Sequence, residues 1–120
     1  NKKRILLIDD ERDLVQTVTF QLEAAGYEVI SAYDGQEGLE KVAKDKPDLI
    51  LLDIMMPGID GFEVLRRLRN ELATESMPVI MFTAKGDSSS IFKAQDLGST
   101  SYIMKPFDQE ELLKVVKRYI

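Results

Sequence analysis

The chain has 120 residues, 44% hydrophobic and 31% charged, with a net charge of −5. That fits one domain, residues 1–120, with its own apolar core, and argues against direct binding to nucleic acid or to an anionic membrane. Cys and His are both absent, which excludes disulfides, thiolate chemistry, imidazole bases and Cys or His metal sites.

The elements alternate along the chain. Residues 5–8 (ILLI) form a short apolar run of strand type. Leu14, Val15, Val18, Leu22 and Ala25 then mark one face of a helix, with Gly26 as its stop. Residues 28–31 read as a second strand. Gly38, Leu39, Val42 and Ala43 mark the next helix, ended by Pro47. Residues 49–52 (LILL) are a third strand, followed by a helical face of Phe62, Val64, Leu65 and Leu68. Residues 79–82 (VIMF) are a fourth strand. Ile91, Phe92, Ala94, Gln95 and Leu97 mark a fourth helix, closed by Gly98. A weaker strand at 101–104 precedes a last helix bearing Leu112, Leu113, Val115, Val116 and Tyr119, with Asp108 as its N-cap.

Strand and helix alternating five times predict an α/β fold: a doubly wound, five-stranded parallel sheet of flavodoxin-like (βα)5 type. The natural strand order is 2-1-3-4-5. Runs one and three are continuous rather than alternating, as strands buried on both faces are. The switch point is then the crevice between strands 1 and 3, at their carboxyl ends. No run approaches the roughly 20 residues that cross a bilayer, and no secretory pattern is present. A start at Asn1 without an initiator Met suggests processing, trimming or an excerpt from a longer chain.

The polar residues closing the apolar runs are few in kind. Strand 1 ends in Asp9-Asp10-Glu11, strand 3 in Asp53, strand 4 in Thr83-Ala84 and strand 5 in Lys105-Pro106. Each has an ordinary structural reading: Asp10 as a helix cap, Asp53 as turn chemistry before Pro57-Gly58, Thr83 as a strand end, Lys105 as a solvated cation. Together they read differently. Three carboxylates converging without a cation would repel each other. Oxygen-only ligation favours a hard divalent ion, Mg²⁺ above others. An ionised aspartate can attack phosphorus, and at a reference pKa of about 4 it needs no general base. Mg²⁺, Lys105 and Thr83 would answer the charge that develops on the phosphoryl oxygens.

These residues resemble the receiver domain of two-component response regulators from end to end. The matching motifs are Asp9-Asp10, residues 53–58 (DIMMPG) with Asp60-Gly61, Thr83-Ala84-Lys85 and Lys105-Pro106-Phe107. The resemblance implies that Asp53 is the phosphoacceptor. It implies that Asp10 ligates Mg²⁺ directly and Asp9 through water, and that the Met55 main-chain carbonyl completes the protein's share. It further implies that Thr83 and Tyr102 are the switch pair, that Lys105-Pro106 is cis, and that the protein is cytoplasmic. It also implies that the donor is a phosphohistidine on a sensor histidine kinase or histidine phosphotransfer protein, which must be a separate protein or domain because this chain has no His. Leu14, Val15, Val18 and Pro106 are candidate docking contacts, though the first three fit a core equally well. A downstream output domain or protein receives the signal, through the surface of helix 4, strand 5 and helix 5. Tyr102, taken to lie opposite Thr83, would fill the space that the Thr83 hydroxyl vacates, and residues 84–98 would be the mobile element.

Three alternatives share parts of this pattern. An FMN binder of the same architecture needs a Ser/Thr/Gly-rich loop after strand 1, where Asp9-Asp10-Glu11 would repel phosphate. A haloacid-dehalogenase-type hydrolase wants Asp-x-Asp there, and this chain has adjacent aspartates. A receiver-like interaction module independent of phosphorylation would be expected to lack site residues, and none is missing.

Overall fold

The computed structural model describes residues 1–120. In chain order its elements are β1 (Arg4–Ile8), α1 (Arg12–Ala24), β2 (Glu28–Ala32), α2 (Gly35–Asp45), β3 (Leu49–Asp53), α3 (Gly61–Arg69), β4 (Val79–Ala84), α4 (Ser88–Asp96), β5 (Ser101–Lys105) and α5 (Gln109–Tyr119). The strands form one parallel sheet in the order β2-β1-β3-β4-β5. The sequence predicts this order, and the reason is visible in burial. Residues 5–8 and all of β3 are buried, so both strands must lie inside the sheet with helices on each face.

Side-chain alternation divides the apolar blocks between two cores. Leu6, Ile8, Ile50 and Leu52 face α2 and α3 residues such as Val42, Val64, Leu65 and Leu68. Ile5, Leu7, Leu49 and Leu51 face Val15, Val18 and Leu22 of α1, and Leu112 and Val116 of α5. Val15 and Val18 are therefore core residues, not docking contacts. Of the proposed α1 contacts only Leu14 reaches the surface, and Pro106 is exposed.

Four helices begin with an aspartate whose carboxylate accepts the N–H three residues on: Asp34 from Glu37, Asp60 from Glu63, Asp87 from Ser90 and Asp108 from Glu111. Each cap satisfies an orphan donor and places negative charge at the positive end of the helix dipole. Helix α1 has no side-chain cap. The Glu11 N–H instead donates to Asp9 Oδ1 at 2.9 Å, so Asp10 is not the cap. Helix α2 ends at Lys46, held at φ 47°, one residue before Pro47. Phe92 departs from its expected place: it is 66% exposed, and Ala94 alone in α4 is buried. Helix α4 is short and meets the sheet along the narrow line through Ala94. Phe92, two residues earlier, points well away from that line.

Gly61 ties this frame to the strand ends. Its N–H donates to the Ile54 carbonyl at 2.8 Å. A β-carbon there would overlap the Asp53 carbonyl oxygen and stand 2.8 Å from Ile54 Cα. Those neighbours are backbone and have nowhere to go. Gly61→Ala is expected to cost about 1–3 kcal/mol, the usual range for overpacking, read as a lower urea midpoint at unchanged slope. An unchanged midpoint would show that the β3–α3 junction yields freely.

Candidate functional site

A parallel sheet brings all its carboxyl ends to one edge. Asp9 follows β1 and continues its ladder, its N–H donating to the Ala32 carbonyl at 3.0 Å. Asp53 is the last residue of β3, Thr83 and Ala84 end β4, and Lys105 ends β5. One carboxylate oxygen from each of Asp9, Asp10 and Asp53 lies within 4.8 Å of the others. Asp9 is fully buried, Asp53 nearly so, and Asp10 is exposed at the rim.

The Lys105 ammonium crosses from the far side of the sheet to meet them. It donates to Asp9 Oδ2 at 2.8 Å, Glu11 Oε1 at 2.9 Å and Asp53 Oδ1 at 3.3 Å. Its Nζ also lies 5.5 Å from the centroid of Phe82, whose ring stacks on Phe107 at 5.1 Å. The peptide bond after Lys105 is cis. Thr83 is almost fully buried, and its hydroxyl has no hydrogen-bond partner. These groups open into a cleft of about 240 Å³ whose lining includes Asp10, Asp53, Met55, Thr83, Asp87 and Lys105. A larger groove of about 700 Å³ lies between α2 and the α3–β4 connection. It gathers none of the strand-end residues, so size alone does not locate the chemistry here.

Electrostatics give the cleft its character. Burial, then repulsion from Asp9, pushes Asp53 up to about 6 despite Lys105 alongside. Its reference value of about 4 therefore does not hold, although the carboxylate is still mostly ionised at neutral pH. Burial also raises Asp9, again against the pull of Lys105. Burial alone would depress Lys105, but its hydrogen bonds to Asp9 and Glu11 outweigh that and hold it above the ordinary lysine range. One amine thus leaves a cluster of acids only partly neutralised. The donor set, three convergent carboxylates without nitrogen or sulfur, is compatible with a hard divalent cation such as Mg²⁺.

Asp10, Asp53, Thr83 and Lys105 therefore line one cleft, Asp9 lies buried behind it in contact with Lys105, and Met55 lines it with its side chain turned largely to solvent. Tyr102 does not share it. Thr83 pairs across the sheet with Met104, and Tyr102 pairs with Met81. The Tyr102 side chain is exposed at the sheet edge. Two participants escaped sequence reasoning. Glu11 takes the third hydrogen bond of Lys105, a role hidden in the acidic triplet after β1. Asp87 reaches the cleft wall from the start of α4, and its only signal was its place four residues after Thr83.

The family model described as the response regulator receiver domain matches residues 5–117. The chain is 42% identical over 115 residues to the alkaline phosphatase synthesis transcriptional regulatory protein PhoP of Bacillus subtilis, covering 96% of this chain and 47% of that protein. It superposes on the chemotaxis response regulator CheY4 of Vibrio cholerae with a TM-score of 0.94, at 33% identity and full coverage of both chains. It also matches the receiver domain of the sensor histidine kinase PA1611 from Pseudomonas aeruginosa, described with a magnesium ion coordinated in its active-site cleft. That match has a TM-score of 0.91 at 26% identity, covering 99% of this chain and 98% of that one. The chain belongs to the receiver-domain family of response regulators in two-component signalling. It spans about half the length of the curated relatives it matches.

The raised Asp53 pKa makes a signed prediction for the protein in EDTA. A carboxyl that binds its proton more tightly when folded stabilises the fold below its unfolded value, here near 3.8. That contribution disappears as pH rises through about 6. Stability should fall by roughly 2–3 kcal/mol across this window, and Asp53→Asn should flatten the fall. Urea titrations of both proteins from pH 4 to 8 measure it. Identical pH profiles would contradict the assignment.

Proposed function

We propose that residues 1–120 form one receiver unit that accepts a phosphoryl group on Asp53 in a Mg²⁺-dependent reaction. The observation that carries this reading is the Lys105 ammonium bound at once to Asp9, Glu11 and Asp53, beside a buried, unpartnered Thr83 hydroxyl. An ionised Asp53 oxygen forms the bond to phosphorus. The bond from phosphorus to the donor imidazole breaks, and its electron pair leaves with the ring. Lys105 and Thr83 answer the charge that gathers on the phosphoryl oxygens. Asp10, Asp53 and the Met55 carbonyl would hold Mg²⁺, with Asp9 acting through water. Bound there, the ion would supply positive charge to the phosphoryl oxygens in addition to that of the amine. No step asks for a base, which suits a chain without His.

The donor is a phosphohistidine on a sensor histidine kinase or a histidine phosphotransfer protein, docked against exposed residues of α1 and the β5–α5 loop. The readout is the α4–β5–α5 surface, where Phe92, Tyr102 and Met104 are exposed, acting on an output domain or protein. The Thr83 hydroxyl moves to the phosphoryl group and Tyr102 turns inward behind it. Residues 84–98 are the element that yields. No helix is long and apolar enough to cross a membrane, and we assign a cytoplasmic location. Family membership and the complete set of site residues favour this reading over a phosphorylation-independent module.

Asp53→Asn should abolish phosphorylation by acetyl phosphate, and EDTA should do the same to the wild type. Lys105→Ala should slow it by about 10²-fold, the usual cost of losing one charge-stabilising donor. Intact-mass spectrometry reads all three, and full-rate transfer in EDTA would refute the metal role. Charge reversal at exposed Arg12 or Asp13 should slow transfer from the kinase several-fold while leaving the acetyl phosphate rate unchanged. Equal slowing of both would contradict the docking site.

A further inference from the structure

Asp87 belongs to two structures at once. It lines the cleft that holds Asp53, Thr83 and Lys105, and it is the N-cap of α4. Its Oδ1 accepts the Ser90 N–H at 3.2 Å and the Ser89 hydroxyl at 3.0 Å, and its Oδ2 accepts the Ser90 hydroxyl at 2.6 Å. Those bonds, the Ser90 hydroxyl foremost, hold its carboxyl below the usual carboxylate range, so it is charged at neutral pH. No cation answers it. Lys105 is already taken by Asp9, Glu11 and Asp53.

The two ends of α4 are held very differently. At the far end Arg69 of α3 donates to the Gly98 carbonyl at 2.7 Å, the Thr74 carbonyl at 3.1 Å and Thr100 Oγ1 at 3.4 Å. Gly98 stops the helix at φ 96°. At the near end there is the Asp87 cap, and one turn bond from the Asp87 N–H to the Ala84 carbonyl at 3.1 Å. Between them only Ala94 is buried. The helix is pinned beside α3 and loosely closed beside the cleft.

An aspartyl phosphate carries about two negative charges where the carboxylate carried one, and it extends them into the cleft. A space of about 240 Å³ keeps its walls within about a Debye length at physiological salt. We propose that Asp87 couples charge on Asp53 to α4: the phosphoryl group repels the Asp87 carboxylate, weakens its bonds to Ser89 and Ser90, and frays the first turn while Arg69 holds the last. This rests on the reading of Asp53 as phosphoacceptor and names how that site is regulated. Asp87 is a positioning residue; it touches no reacting atom.

Asp87→Asn separates charge from capping, because an asparagine oxygen still accepts the Ser90 N–H. Hydrogen exchange is followed with Mg²⁺ alone and with Mg²⁺ plus beryllofluoride. In the wild type, amides 88–92 should exchange about fivefold faster with beryllofluoride, the factor an N-cap of ordinary strength supports. In Asp87→Asn the increase should fall below about twofold. Salt near 1 M, which cuts the Debye length to about 3 Å, should bring the wild type down to the variant. An equal response in both proteins, or a wild-type response indifferent to salt, overturns the coupling. Intact-mass spectrometry after acetyl phosphate is run in parallel. A wild type that takes no phosphoryl group brings down the phosphoacceptor reading and the coupling together, whereas a phosphorylated wild type with a silent α4 brings down the coupling alone.

Discussion

The Lys105 ammonium is the contact on which the cleft depends. A parallel sheet delivers every strand's carboxyl end to one edge, and here that edge carries Asp9, Asp10, Glu11 and Asp53. Two of these are buried, where like charges are poorly screened and costly to hold. One amine reaches three of them from the opposite side of the switch point. Without it the carboxyl ends of β1 and β3 would repel each other or take up protons. With it they stay mostly ionised but short of positive charge. A site so balanced is compatible with a hard divalent cation beside the amine.

The surrounding fold serves that contact. Burial of β1 and β3 on both faces fixes the spacing of Asp9 and Asp53. Gly61 packs its backbone against the Asp53 carbonyl, which holds the end of β3 where Lys105 can reach it. Phe82, stacked on Phe107, sets its ring 5.5 Å from the Lys105 ammonium. The Thr83 hydroxyl is the one buried side-chain polar group of the site left without a protein partner. A buried hydroxyl without a protein partner is free to donate to an oxygen placed in the cleft.

Much of this was legible in the sequence because two strong signals agreed. Continuous apolar blocks marked the inner strands, and a polar residue closing each block marked the functional edge. Of the aspartate caps, only Asp108 was legible in the sequence; Asp34, Asp60 and Asp87 cap their helices as well. What escaped depends on side-chain direction and environment. Val15 and Val18 fit a docking face or a core until α5 is seen packing against them. Phe92 shares the helical period of α4 but misses the narrow line through Ala94. Tyr102 was placed opposite Thr83, whereas the register sets it opposite Met81; a slip of that size is invisible in a weak edge strand. The raised Asp53 pKa comes from burial and Asp9, which composition cannot report.

Receiver-domain membership accounts for the architecture, and the individual residues account for what this chain does with it. Its α4 is loosely held: short, with one buried residue and a start at which Ser89 and Ser90 bind a single carboxylate. The face formed by α4 and β5 exposes Phe92, Tyr102 and Met104, an apolar surface suited to protein contact.

The most direct test of the central claim is a crystal structure with Mg²⁺ and beryllofluoride. The account predicts beryllofluoride on the Asp53 carboxylate, with Lys105 Nζ and Thr83 Oγ1 each within hydrogen-bond distance of a fluorine. A structure in which Asp53 is unmodified, or in which Thr83 remains unpartnered beside a bound beryllofluoride, would contradict it.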